Sequence, residues 1–316
     1  MGRGKIWAVL LVIVGLLSMF PAPARANTGL PNPGLSNRVP EVSVPKANTP
    51  QVTFQQGLAA YGRKQYPAAV SAFTEVIAKN GQNAAAYSNR CLAYMQLQRY
   101  RPAVDDCTAS LAMDADNGEA YLNRGLAYYQ LGEYAAALAD FRQVLARQPH
   151  DHRAHYNSGL VQFALGHYEA AITDYSRSLQ CCPDLPRDLV AAVYGDRGEA
   201  YLTIDRPEAA IANFNQAIQL NPTNPKTYFD RARAHYRQDN LAAAHQDYDQ
   251  VLALKPDHGQ SYLNRGLISQ ELGHTPAAIR DLQRAAACFR DQGLEAAYVQ
   301  TLSLLAQLTS TRVVVG

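Results

Sequence analysis

A period runs through the sequence. Alanine recurs at Ala69, Ala103, Ala137, Ala171, Ala210, Ala244 and Ala278, always 34 residues apart except for one gap of 39. A second series of small residues keeps step with it: Gly57, Cys91, Gly125, Gly159, Gly198, Ala232 and Gly266. A single compact core does not repeat in this way. Each period is one supersecondary unit too small to bury its apolar face alone, so neighbouring units must stack.

Position 1 falls at Pro50, Ala84, Gly118, His152, Ala191, Pro225 and Gly259, which defines seven units: 50–83, 84–117, 118–151, 152–185, 191–224, 225–258 and 259–292. Five residues, 186–190, are inserted after the fourth unit and are expected to lengthen the connection there. The recurring small residue is then at position 8 and the alanine at position 20. Position 24 holds Phe73, Cys107, Phe141, Tyr175, Phe214, Tyr248 or Leu282, and position 32 holds Pro149, Pro183, Pro222 and Pro256. Small residues let two helices touch backbone to backbone, larger ones fill the space between pairs, and proline stops the second helix. Each unit reads as helix, turn, helix. The pattern is weakest at its ends, with Thr53 and Gly81 in the first unit and Leu282 and Arg290 in the last.

The segments Tyr-Leu-Asn-Arg-Gly at 121–125 and 262–266, Tyr-Ser-Asn-Arg-Cys at 87–91 and Tyr-Gly-Asp-Arg-Gly at 194–198 carry the clearest likeness. At these residues the chain resembles the tetratricopeptide repeat family, in its exported bacterial form. The resemblance implies an all-α fold, a right-handed superhelix (α-solenoid) of about seven 34-residue helix-turn-helix repeats. Residues 293–316 are then a capping helix and tail, with Leu294, Ala297, Tyr298, Leu302, Leu305 and Leu308 at helical spacing, forming a solvent-tolerant end to the stack.

In this family positions 2, 5, 6, 9, 12 and 13 of the first helices line the concave surface, where a peptide or protein partner lies. The candidates here are Leu122, Leu126 and Tyr129, then Tyr156, Leu160 and Phe163, then Phe229 and Tyr236. Lateral packing between adjacent first helices is the competing reading. Position 6 carries Asn89, Asn123, Asn157, Asp196, Asp230 and Asn264, short polar groups in six consecutive units. An amide can donate to and accept from an extended peptide backbone, as in the asparagine ladders of some of these superhelices. Hydrogen bonding within the scaffold is the alternative.

Arginine recurs at position 7 (Arg90, Arg124, Arg197, Arg231, Arg265) and aspartate at position 23 (Asp106, Asp140, Asp174, Asp247, Asp281). Their co-occurrence in four units points to ion pairs joining the two helices of a unit. The basic inner-stripe residues Arg153, Lys226 and Arg233 complete no carboxylate clamp. Cys91 and Cys107 stand at positions 8 and 24 of one unit, which allows either a disulfide or two buried thiols, and thiols are the favoured reading. His150, His152 and His155 cluster before and within the fourth unit and are a weak metal candidate, set against packing for His155 and a solvated turn for the others.

No motif for nucleophilic, phosphate or dinucleotide chemistry occurs, so neither enzyme activity nor a cofactor is expected. With 29 Lys and Arg against 27 Asp and Glu, the net charge of +2 does not mark a nucleic-acid binder.

Met1 to Ala26 has the order of a secretory signal: Arg3 and Lys5, the apolar run Ile6–Phe20, then small residues ending at Ala26. Fifteen helical residues rise about 22 Å, short of a hydrocarbon core of about 30 Å, so cleavage is expected over retention as a membrane anchor. Residues 27–49 form a Pro-rich flexible linker. The functional expectation is an exported, non-catalytic scaffold or adaptor holding a peptide or protein in its groove for complex assembly or maturation, in the periplasm or another extracytoplasmic lumen. A self-assembling structural protein is the alternative, followed by a metal-handling protein or enzyme.

Overall fold

The computed structural model describes residues 49–181 and 185–314. The signal and linker readings lie outside the described residues. Among those described there are fifteen helices and no strand. They pair in sequence: α1 (Pro50–Gly62) with α2 (Tyr66–Lys79), α3 (Ala84–Gln96) with α4 (Tyr100–Met113), α5 (Gly118–Gln130) with α6 (Tyr134–Arg147), and α7 (His152–Ala164) with α8 (Tyr168–Cys181). The series continues with α9 (Arg187–Thr203) and α10 (Pro207–Leu220), α11 (Pro225–Arg237) and α12 (Leu241–Leu254), and α13 (Gly259–Glu271) and α14 (Thr275–Asp291). A last helix, α15 (Glu295–Val314), packs on α14. The result is an all-α helix-turn-helix solenoid ending in a capping helix.

Local signals place the helix starts. Six of the seven first helices begin at a side-chain cap: Thr49, Asn83, Asn117, Asp151, Asn224 and His258 each accept a hydrogen bond from an amide in the opening turn. These caps precede position 1 of their units. Within each unit the chain turns through a left-handed residue at position 15, which is glycine at Gly132, Gly166 and Gly273 and a residue with a Cβ at Lys64, Gln98, Asp205 and Asp239.

The core repeats with the sequence. All seven position-20 alanines have no exposed surface. A Cβ added at Gly125 would lie 2.6 Å from the Phe141 ring, and one at Gly159 the same distance from Tyr175, so the small position and the large one are a matched pair. In the second unit that pair is replaced by a disulfide between Cys91 and Cys107. The thiol reading is therefore corrected: helix packing sets their Cα atoms 5.5 Å apart, within reach of a bridge.

The insertion at 186–190 is also not what spacing suggests. Arg187 to Val190 are helical and lengthen the first helix of the fifth unit to 17 residues, against 13 in the other units. No described helix is long and apolar enough to cross a membrane.

Candidate functional site: the inner stripe of the first helices

Adjacent first helices approach one another directly at α1/α3, α3/α5, α5/α7 and α9/α11. This contact decides the fate of the stripe. Leu122 and Leu126 fall in a core shared with Met95, Ala154 and Val161 of the flanking units. Tyr156 and Leu160 have no exposed surface, and Asn123 and Asn157 are buried. These six are thus corrected from groove lining to buried positions; for Leu122 and Leu126 the cause is lateral packing. The other candidates, Asn89, Tyr129, Phe163, Phe229, Tyr236 and Asn264, are half-buried.

The half-buried aromatics have partners in the scaffold. Tyr129 packs on Tyr134 with ring centroids 6.0 Å apart, and Phe163 on Tyr168 at 5.2 Å. Phe229 meets both Tyr248 and His258 edge-on. Burial pushes the Tyr236 hydroxyl pKa up to about 12, helped by Glu271 and Asp239.

At position 6 most side chains bond within the protein. Asn89 donates to the Ala85 carbonyl at 2.8 Å. Tyr156 donates to Asp196 at 2.7 Å, joining the fourth unit to the fifth. Asn264 donates to the Tyr248 hydroxyl and accepts from Gln260. Asp230 accepts from Lys226 and Arg233. Asn157 is different: it is 1% exposed, and neither atom of its amide has a hydrogen-bond partner.

The three basic residues of the stripe are all paired. Arg153 forms two hydrogen bonds to Glu119, at 2.7 and 3.0 Å, and another to Asp151 at 2.8 Å. Burial alone would lower the Arg153 pKa, but hydrogen bonds to Glu119 and Asp151 carry it upward instead. Lys226 reaches Glu199 at 3.0 Å and Asp230 at 2.6 Å, and Arg233 reaches Asp230 at 3.2 Å. The stripe changes character along its length. It is mainly apolar through Phe54, Leu58, Met95, Tyr129 and Phe163, then ionic at Asp196, Glu199, Lys226, Asp230 and Arg233.

The three histidines have separate surroundings. His155 is buried with Nε2 3.0 Å from the Pro149 carbonyl, whereas His150 faces Cys181. Burial lowers the His152 pKa. Among the described residues no group of three or more His, Cys, Asp or Glu side chains could hold a metal ion.

The expected arginine pairs are present, with a partner that spacing did not single out. Arg90, Arg124, Arg231 and Arg265 each grip the position-23 aspartate of their own unit through two hydrogen bonds. Their remaining nitrogen reaches back to position 25 of the preceding unit, at Thr74, Thr108, Asn215 and Asp249. Arg197 has Asn213 and Ser176 instead, and without a carboxylate its pKa is lowered by burial. The joint between the third and fourth units lacks the arginine link: Arg142 occupies position 25 and Ser158 position 7. There the Asp174 carboxyl has only His155 at 3.9 Å and Arg177 at 3.9 Å, and burial raises its pKa.

Comparison with known proteins gives one consistent answer. The tetratricopeptide repeat model matches residues 54–120, 89–142, 122–186 and 229–294, and a second repeat model of the same kind matches 198–239. None of the curated proteins compared with the chain matches it. Among solved structures, PilF of Pseudomonas aeruginosa is 20% identical, covering 71% of this chain and 97% of its own, with a TM-score of 0.59. A tetratricopeptide repeat protein from Parabacteroides merdae is 20% identical over 80% of this chain and 98% of its own, with a TM-score of 0.56. MamA from Desulfovibrio magneticus is 22% identical over 55% and 96%, with a TM-score of 0.51. These likenesses concern the fold. With the repeat model matched over more than half its length and the paired-helix stack that the matches require, the chain belongs to the tetratricopeptide repeat family.

Proposed function

We propose that this protein is a non-catalytic scaffold that holds an extended peptide or a protein segment along the inner stripe of its first helices. The observation that carries the reading is the partly open row of rings along these helices, Tyr129 and Phe163 followed by Phe229 and Tyr236. Along the stripe the half-buried rings of Tyr129 and Phe163 come first, and the ionic stretch from Asp196 to Arg233 follows. A partner segment with an apolar portion followed by a charged one matches this order.

The partner is identified by crosslinking and affinity capture of the protein from its native fraction, followed by mass spectrometry. Tyr129→Ser combined with Phe163→Ser should abolish capture at unchanged helical content. Undiminished capture by that variant would refute the stripe as the binding surface.

The same proposal places the protein outside the cytoplasm, with cleavage after Ala26 and a linker through residue 49. A buried disulfide between Cys91 and Cys107 supports an oxidising compartment such as the periplasm. Intact-mass measurement of protein recovered from fractionated cells tests both points. A mass retaining Met1–Ala26 would leave the N-terminal membrane-anchored form as the correct one.

A further inference from the structure

Two residues that recur together elsewhere are both absent from the fourth unit. In the second, third, sixth and seventh units a tyrosine at position 4 lies beneath the arginine of position 7, 5.5–5.6 Å from guanidinium carbon to ring centre. That arginine grips the aspartate of position 23. The fourth unit keeps the aspartate, Asp174, but has His155 at position 4 and Ser158 at position 7. The basic group that reaches from α7 towards α8 is thus an imidazole, which titrates, where the other units use a guanidinium, which does not.

The surroundings of that imidazole fix where a proton can sit. His155 is 6% exposed, and its Nε2 lies 3.0 Å from the Pro149 carbonyl, an acceptor only, so Nε2 carries a hydrogen and donates it. Nδ1 is left with a lone pair. It is buried, has no hydrogen-bond partner, and stands 3.9 Å from Asp174 Oδ1. With Asp174 ionised, two acceptors face one another, and a single proton converts them into a charge-assisted hydrogen bond after an approach of about 1 Å. The other charges nearby do not supply that bond. Arg177 of α8 is also 3.9 Å from Asp174 Oδ1 but is 59% exposed. Arg153 of α7 is paired with Glu119 and Asp151, and burial disfavours a charge on His152, one turn before His155. Arg197 of α9 is held by Asn213 and Ser176, and Arg142 of α6 is exposed. Burial raises the Asp174 pKa, which favours the protonated pair.

We propose that His155 and Asp174 form a one-proton lock within the fourth unit: holding the proton, Nδ1–H donates to the Asp174 carboxylate and fastens α7 to α8, and losing it opens that link. The two groups titrate together, with an apparent pKa that belongs to the pair. The folded pair binds the proton more tightly than the separated groups of the unfolded chain. Its stabilising contribution is therefore complete at low pH and is lost as pH rises through the apparent pKa. That sign is opposite to the one for a histidine buried neutral. Because the joint to the third unit also lacks the arginine link, the fourth unit is where the stack loosens as pH rises. The lock belongs to the scaffold itself and operates whether or not the stripe holds a partner.

Hydrogen–deuterium exchange of the full chain tests the lock, read as protection factors so that the intrinsic pH dependence of exchange cancels. Between about pH 5.5 and about pH 8, protection in α7 and α8 should fall about tenfold relative to α5 and α6. Asp174→Asn supplies an amide that can donate to Nδ1 at any pH, and should remove the difference. His155→Tyr with Ser158→Arg installs the trio of the third unit, and should hold α7 and α8 equally protected at both values. Proton NMR of the unsubstituted protein gives the same test without a substitution. A hydrogen-bonded ring N–H should be present at low pH and lost at high pH, alongside the one that Nε2 donates to Pro149 at both. Equal pH responses of the third and fourth units, a response that survives Asp174→Asn, or no additional ring N–H at low pH would each overturn the proposal.

Discussion

Arg124 and Asp140, sixteen residues apart in sequence, share two hydrogen bonds of 2.8 Å, while the same guanidinium reaches Thr108 at 3.0 Å. One side chain thereby fastens three helices, α4, α5 and α6, and two units. The Arg124 and Asp140 side chains are 17% and 6% exposed, so the pair is largely removed from solvent. A surface ion pair contributes little, but removing one partner of a buried pair leaves the other without compensation.

Arg124→Ala should accordingly destabilise the protein by about 2–4 kcal/mol, read from urea unfolding followed by circular dichroism. Adding Asp140→Leu should restore part of the loss, because the stranded carboxylate is gone. If the double variant is no more stable than the single one, the pair does not act as described.

His258 makes one helix cap sensitive to pH. Its Nδ1 accepts the Ser261 amide at 3.3 Å, and burial, reinforced by Lys255, lowers its pKa below the ordinary histidine value. Because the folded state holds the ring neutral, its stabilising contribution is complete above the unfolded pKa of about 6.5. That contribution falls away as pH drops from about 6.5 through the lowered folded value. His235, also lowered by burial, adds the same sign. His258→Asn preserves an acceptor of the type used at Asn83 and Asn117, and should flatten the loss of thermal stability between neutral and mildly acidic pH. An unchanged pH slope would remove His258 from the account.

The left-handed turn residues offer a gain. Gln98 and Asp239 have φ of 57° and 59°, where glycine serves in three other units. Gln98→Gly and Asp239→Gly should each raise stability by about 0.5–1 kcal/mol, the relief of strain exceeding the added freedom of the unfolded chain. Differential scanning calorimetry would register this as a higher melting temperature. A lower one would mean that side-chain contacts at the turn outweigh its strain.

The Cys91–Cys107 bridge closes a sixteen-residue separation inside one helix pair. Chain-entropy reasoning assigns such a loop about 3 kcal/mol. Replacing both cysteines by alanine should lower stability by roughly that amount, and reductant should shift the parent protein but not the variant. Equal responses to reductant would show that the bridge is absent in solution.

The fold class, the period and the matched small and large positions of each unit were legible along the chain. Those features arise within one helix pair, where Ala137, Gly125 and Phe141 meet because spacing along two short helices forces them to. The arginine–aspartate pairs were legible for the same reason. What lies between units was not. The third contact of each arginine, at Thr108 or Asp249, depends on how one pair stacks on the next, and Leu122 and Leu126 are hidden by neighbouring helices rather than by their own. The Cys91–Cys107 bridge required the interhelical separation, and the helical insertion at Arg187–Val190 required knowledge of which backbone it extends. Local periodicity records which residues belong to one unit, whereas burial and partner choice are set by contacts between units, whose geometry emerges only when the helix pairs stack.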